Sequence, residues 1–245
     1  MNINKLAKSL VLFAFCIVGF QQSYAAVIED TLYINRGEMT TVDNTNIPYF
    51  AFNSSSVFSN ENERLIMNMG DQMVLTVINT DSVSHGFDIK DISNIATLIA
   101  PDDTATISFT YQDFGAHIYY DHSLSEAYRY MGLGGMIVVK NPSSSASSFY
   151  WNMKEHQSAY NESLNQGTSV DWNAYYPDYF TINGKSNPHI NNDSNARVIG
   201  NMGDTILIYM VNTGQSLHSI HFHGYHLTIK SSTKFPNHVG RSKDT

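Results

Sequence analysis

The chain has 245 residues, a formal net charge of −8 and a single cysteine. This acidic balance argues against nucleic acids and anionic membrane surfaces as partners, because both repel negative charge. The length suits either two ordinary domains or one large β domain. An aromatic content of 12%, with 15 tyrosines, favours a β-rich protein, since aromatic side chains pack well on pleated surfaces.

Residues 1–25 have the pattern of a secretory signal peptide. Lys5 and Lys8 supply positive charge, Leu10–Phe20 form a short apolar core, and Ser23–Ala25 form a small-x-small cleavage site. The apolar run is too short for a good membrane span. We therefore expect a secreted or periplasmic protein without a membrane span. Cys16 lies inside this segment, so the mature chain would contain no thiolate.

Short β-type runs recur along the chain with turn residues between them, and no long helical periodicity is seen. The runs are Thr31–Ile34, Met73–Ile78, Ala105–Tyr111, His117–Tyr120, Gly135–Val139, Ala196–Gly200 and Thr205–Val211. Strands of this length and spacing are typical of β-sandwiches or barrels. A Ser-rich linker at residues 142–148 separates a predicted first domain, 26–141, from a second, 149–245.

The two predicted domains repeat one another in sequence. The matching segments are Tyr49–Asn53 with Tyr179–Asn183, Asn68–Asp71 with Asn201–Asp204, and Asn79–Thr80 with Asn212–Thr213. The asparagine of each last pair lies 6 residues before a histidine, His85 or His218. A turn, an apolar strand and a loop in the same order predict a duplicated β domain.

The segment His218–Leu227 carries four histidines interleaved with apolar residues. We predict that it is a strand. Alternation would then place His221 and His223 on one face and His218 on the other. Neutral imidazole is the commonest nitrogen ligand for copper, zinc and iron, so the segment predicts metal binding on two faces.

The spacing His218-x-x-His221-x-His223-Gly224 resembles the third copper motif of the multicopper oxidases, in particular the two-domain laccase group. The resemblance implies an all-β protein of two tandem cupredoxin-like Greek-key β-sandwich domains. It also implies that His218 binds a type 1 copper, His221 the type 2 copper and His223 one of the type 3 pair.

The first repeat matches the family's ligand motifs less well. His85, followed by Gly86, resembles the H-x-H-G segment, and His122 resembles the end of the second H-x-H segment; Val83 and Tyr120 stand where the other histidines would be. The resemblance thus implies His85 and His122 as copper ligands. The repeat spacing aligns His85 with His218, whereas its His-Gly pair aligns it with His223, and a core histidine is the alternative.

Copper nitrite reductases are a second family that the chain resembles. In that comparison Asp121 stands where a type 1 copper cysteine would be, and Leu133 stands near the axial methionine. We therefore expect no blue-copper site in the first domain. The fourth copper motif of the multicopper oxidases, which contains a cysteine, would lie beyond Thr245. We expect a C-terminally truncated chain with an incomplete second domain.

The resemblance implies one-electron oxidation of a small reducing substrate coupled to reduction of dioxygen, with copper as cofactor, in a homotrimer. Two alternatives stay open: a copper-binding module without turnover, and a nitrite-reductase-like enzyme. A purely structural sandwich is disfavoured by the histidine-rich segment. The remaining histidines in polar contexts, His156, His189 and His238, are predicted to be solvated.

Overall fold

The computed structural model describes residues 25–243, so Cys16 and almost all of the predicted signal peptide lie outside the described range. The structure is mostly β. Its strands are β1 (Val27–Thr40), β2 (Asn46–Asn53), β3 (Arg64–Asn68), β4 (Gln72–Asn79), β5 (His85–Ile89), β6 (Thr97–Ile99), β7 (Thr104–Thr110), β8 (Gly115–Tyr120), β9 (Gly134–Lys140), β10 (Ser147–His156), β11 (Tyr179–Ile182), β12 (Ile206–Asn212), β13 (Leu227–Thr228) and β14 (Ser242–Lys243). The α-helices are α1 (Ala127–Tyr130) and α2 (Ser158–Asn165).

The first repeat is a sandwich of two sheets. One sheet has the order β2-β1-β4-β7 and the other the order β3-β9-β8-β5-β6. Strand β4 shows how the sequence favours a sandwich. Met73, Leu75 and Val77 alternate with polar or half-buried residues, so one face of the strand packs into the core. The core between the sheets joins these residues to Phe52 and Phe87 of β2 and β5.

The second repeat contains a three-stranded sheet with the order β11-β10-β12. Strand β10 pairs antiparallel with β11 and parallel with β12, as β1 pairs antiparallel with β2 and parallel with β4. In the register, Ile34 lies opposite Asn79 and Met153 lies opposite Asn212. The sequence repeat is thus also a repeat of strand pairing. Strand β7 flanks β4, whereas no strand within residues 25–243 flanks β12 in the same way.

Several sequence expectations differ from the structure. Within His218–Leu227 only Leu227 belongs to a strand, so the predicted strand is wrong. No strand of the described range supplies the backbone partners that a ladder needs. Ala196–Gly200 is also irregular, and β10 begins at Ser147, inside the predicted linker. His156 is fully buried in β10 rather than solvated. None of the helices among residues 25–243 is long and apolar enough to span a bilayer.

Candidate metal centre

The two repeats place one histidine each in the same local setting. The side-chain amide of Asn79 donates to the carbonyl of Val83 at 2.8 Å, and that of Asn212 donates to the carbonyl of Ser216 at 2.6 Å. The same asparagine-closed loop therefore follows β4 and β12. His85 and His218 each lie 6 residues after the asparagine, so they occupy equivalent positions. By the same alignment, Asp88 and Lys90 of the first repeat are equivalent to His221 and His223 of the second.

The histidine-rich segment is irregular, with a turn at His223 and Gly224, up to Leu227 at the start of β13. Exposure alternates along it: His218 and Phe222 are half-buried, whereas His221 and His223 are exposed. The ring of Phe222 stacks on Trp151 of β10, with centroids 5.6 Å apart and planes at 9°. This stacking anchors Phe222 on β10, whereas His221 and His223 on either side of it are exposed.

The rings of His221 and His223 are neighbours, with centroids 4.6 Å apart and planes at 81°. This edge-to-face contact places the two rings side by side on an exposed part of the segment.

His218 points the other way and meets a buried carboxylate. Its Nε2 donates to Oε2 of Glu155 at 2.8 Å, and Glu155 is fully buried in β10. The other oxygen of Glu155 accepts the backbone N–H groups of Gln215 and Ser216, each at 2.6 Å. The Arg129 guanidinium donates to carbonyls of the same loop. The loop, the carboxylate and the imidazole are thus held as one unit.

His85 is enclosed by carboxylates on both sides. Its Nδ1 donates to Asp121 Oδ2 at 2.8 Å and its Nε2 donates to Asp81 Oδ2 at 3.0 Å, and the ring is fully buried. The ring also contacts Tyr128, with centroids 4.6 Å apart. Both ring nitrogens of His85 are thus hydrogen-bonded to carboxylates, so a metal ion would have to replace one of these two contacts.

The pKa of His85 reflects this enclosure. Burial lowers the pKa, but the hydrogen bonds to Asp121 and Asp81 outweigh it, so the pKa lies above the usual value. For Asp81, burial raises the pKa, but hydrogen bonds from His85 and Ser82 and the charges of His85 and Arg36 outweigh burial. The pKa of Asp81 therefore lies below its usual value. These directions fit an imidazolium held between carboxylates.

His122 lies beside β5, where the absence of a side chain at Gly86 gives it room: a Cβ there would come within 2.8 Å of His122 Nδ1. This nitrogen is buried and has no hydrogen-bond partner among the described residues. Nearby, the Tyr120 hydroxyl donates to Asp88 Oδ2 at 3.1 Å. The family resemblance would place a histidine at Tyr120, and the internal repeat would place one at Asp88. In this structure the two residues pair with each other instead.

The predicted ligands do not all converge. Within residues 25–243, no group of three or more His, Cys, Asp or Glu side chains is placed to hold one metal ion. Of the predicted ligands, His221 and His223 are in ring contact. His218 is hydrogen-bonded to Glu155. His85 lies between the carboxylates of Asp81 and Asp121. Sequence reasoning missed Glu155 and Asp81. The signal for Glu155 was the charged run Lys154–His156 inside an otherwise apolar strand pattern.

Known proteins with a similar fold are found among solved structures. No family model and no curated protein matches the chain. Among solved structures, the multicopper oxidase mgLAC matches with a TM-score of 0.67 and 18% identity, over 83% of this chain and 67% of that chain. The blue copper oxidase from Nitrosomonas europaea matches with a TM-score of 0.66 and 20% identity, over 83% and 66%.

The copper-containing nitrite reductase from Thermus scotoductus SA-01 matches with a TM-score of 0.59 and 22% identity, over 77% of this chain and 44% of that chain. The chain has the cupredoxin fold. It spans about two thirds of the two oxidase chains and less than half of the reductase chain. The expectation of an all-β cupredoxin protein is therefore confirmed at the level of the fold.

Proposed function

We propose that this chain is a copper-binding, multicopper-oxidase-like protein whose copper ligands lie in its second repeat. The observation that carries the proposal is the pair His221 and His223, whose rings lie 4.6 Å apart and project away from His218. Histidine spacing alone permits zinc as well. The likeness of the fold to copper oxidases and copper nitrite reductases supports copper.

In this proposal His221 and His223 hold copper through ring nitrogens, and His218 serves a copper on the other side of the segment. Bound copper supplies one-electron chemistry, because it cycles between two oxidation states. The surrounding residues position the ligands: Trp151 fixes the segment through Phe222. The reaction is one-electron oxidation of a small reducing substrate coupled to dioxygen reduction.

We further propose that another copy of the chain completes the site, in a homotrimer. Because the family resemblance assigns His221 and His223 to different coppers, each copper needs further ligands, which this proposal assigns to a neighbouring copy. The exposure of both histidines supports a site at an interface, where ligand sites commonly occur. Export to the periplasm or outside the cell belongs to the proposal too, and it rests on the N-terminal sequence.

A copper-binding module without oxidase turnover is the second candidate, and the first repeat favours it. At positions equivalent to His221 and His223 the first repeat has Asp88 and Lys90, and Tyr120 pairs with Asp88. An ammonium group is a poor copper ligand at neutral pH, since its nitrogen has no free electron pair. A nitrite-reductase-like reaction is supported by the fold likeness alone.

Copper stoichiometry, with electron paramagnetic resonance and visible spectra, tests the proposal on the purified protein. We expect His221→Ala with His223→Ala to remove most bound copper, whereas His226→Ala, an exposed histidine nearby, retains it. Unchanged copper content in the double variant would contradict the assignment. Oxygen consumption with phenols, cuprous ions or ferrous ions then separates the oxidase from the module, which binds copper without turnover.

A further inference from the structure

The loop between β2 and β3 borders a cavity of about 190 Å³ on the first repeat. None of its lining residues belongs to the histidine-rich segment. The lining is polar except for one valine, and it includes the hydroxyl residues Ser54, Ser55 and Ser59 and the charged residues Glu63 and Arg64. A concave site with several polar groups suits a small polar ligand.

Two asparagines hold this loop in shape. Nδ2 of Asn53 donates to the carbonyl of Ser59 at 2.9 Å, and Oδ1 of Asn53 accepts from the backbone N–H of the same serine at 3.1 Å. Oδ1 of Asn62 accepts from the N–H of Phe52 at 2.9 Å, and its Nδ2 donates to the carbonyl of Gly132 at 2.9 Å. The wall of the cavity is therefore ordered before a ligand arrives, which lowers the entropic cost of binding.

The second repeat braces the same loop from outside. Nζ of Lys185 donates to Oε2 of Glu61 at 2.7 Å, and Nδ2 of Asn60 donates to the carbonyl of Gly184 at 2.8 Å. The cavity therefore lies at the junction of the two repeats. Glu61 also lines it, but its charge is already paired with Lys185.

Glu63 and Arg64 carry the unpaired charges of the lining. No ion pair to either residue is found within residues 25–243, and both residues are half-buried. Nε of Arg64 is buried and has no hydrogen-bond partner among the described residues, and the guanidinium carbon lies 4.3 Å from the ring centroid of Tyr150. A half-buried charge gains from an opposite charge, because water screens it incompletely.

We propose that this cavity binds a small zwitterion of the α-amino-acid type, with its carboxylate on Arg64 and its ammonium group on Glu63. A guanidinium matches the geometry of a carboxylate, and an ammonium group donates to a carboxylate. A ligand with one charge of each sign pairs both residues, whereas a simple anion or cation leaves one of them unpaired. The lining contains no aromatic residue, so a ligand held by stacking fits less well. The inference is independent of the proposed copper function.

The experiment is titration of the purified protein with L-alanine, followed by NMR of the arginine Nε–H groups. We expect saturable binding with a shift of the Arg64 resonance, which is identified by its loss in Arg64→Gln. Acetate and ethylammonium carry one charge each and should bind at least about 10-fold more weakly, since each lacks one charged hydrogen bond. Arg64→Gln and Glu63→Gln, followed by calorimetry, should weaken binding of L-alanine by a similar factor. Arg197→Gln and Glu38→Gln, at exposed positions outside the cavity, should leave it unchanged.

Four results would contradict the inference, and none of them bears on copper. Absence of saturable L-alanine binding to the wild type overturns it, and this measurement needs no variant to fold. Acetate or ethylammonium binding as tightly as L-alanine overturns the choice of a zwitterion. L-alanine binding that leaves the Arg64 resonance in place overturns the location. Undiminished binding in Glu63→Gln, with an unchanged circular dichroism spectrum, overturns the role of Glu63.

Discussion

Oδ2 of Asp121 lies 2.8 Å from Nδ1 of His85, and both side chains are completely buried. Asp121 also accepts from the backbone N–H groups of Gly86 and Ser123 through its other oxygen. A buried carboxylate with this many donors is costly to remove, because its partners would be left without acceptors. The first repeat thus has a charged cluster where the family resemblance would place a copper cysteine.

The first prediction concerns stability. Asp121→Ala should lower the free energy of unfolding by about 3–5 kcal/mol, since it leaves a buried charged imidazole without one of its partners. Urea denaturation followed by circular dichroism measures the change. Asp102→Asn is the control: Asp102 is exposed, with φ of 58°, and asparagine tolerates that conformation. A loss below about 1 kcal/mol for Asp121→Ala would show that the cluster contributes little.

The second prediction concerns pH. The pKa of His85 is raised from 6.5, so its contribution is complete below pH 6.5 and is lost as pH rises through the folded-state value. The pKa of Asp81 is lowered from 3.8, so its contribution is present above pH 3.8 and is lost as pH falls through the folded-state value. The cluster, which Arg36 and Tyr128 also face, is most stabilising between these limits.

His85→Gln isolates the alkaline part of this dependence. The stability difference between wild type and variant should shrink above pH 6.5, by at most about 1.4 kcal/mol per pH unit. Urea denaturation at several pH values checks this. Using the difference removes the effect of His156, whose pKa burial lowers to about 3 and which is common to both proteins. Parallel stability curves for the two proteins would contradict the prediction.

The third prediction separates His85 from the copper ligands. Because both ring nitrogens of His85 are hydrogen-bonded to carboxylates, His85→Gln should leave the copper content per chain unchanged. The double change His221→Ala and His223→Ala should reduce it. Elemental analysis after dialysis measures both. Loss of copper in His85→Gln, in a variant that remains folded, would restore the ligand role that the family resemblance implies for His85.

What the sequence predicts well is local. Alternation along Met73–Ile78 identifies a half-buried strand, because side-chain direction has a period of two residues. The same period separates His218 from His221 and His223, and exposure in the structure alternates accordingly. The repeat spacing aligns His85 with His218, and the asparagine-closed loops agree with it.

What the sequence does not predict depends on distant partners. Glu155 lies 63 residues before His218, and Asp121 lies 36 residues after His85, so no local pattern joins either pair. The histidine-rich segment has strand-like alternation, yet a strand also needs backbone partners. Alternation therefore predicts the faces of Ile220 and His221 but not whether a ladder forms.

The fourth prediction concerns the close approach of Gly214 to the carboxylate of Glu155. Gly214→Ala should destabilise the protein by about 1–3 kcal/mol, as expected when a methyl group is forced into a filled space, here against Glu155. Glu155→Asp shortens the side chain by one methylene and should open that space. The cost of Gly214→Ala should therefore be smaller in the Glu155→Asp background.

A double-mutant cycle by urea denaturation measures this coupling. Residues in direct contact show coupling energies of about 0.5–3 kcal/mol, whereas independent sites add to within about 0.5 kcal/mol. Additive effects at Gly214 and Glu155 would mean that the loop moves aside without disturbing the carboxylate. Coupling, together with a change in the ring resonances of His218 in the single Gly214→Ala variant, would show that the space at Gly214 is needed for Glu155 to reach the imidazole.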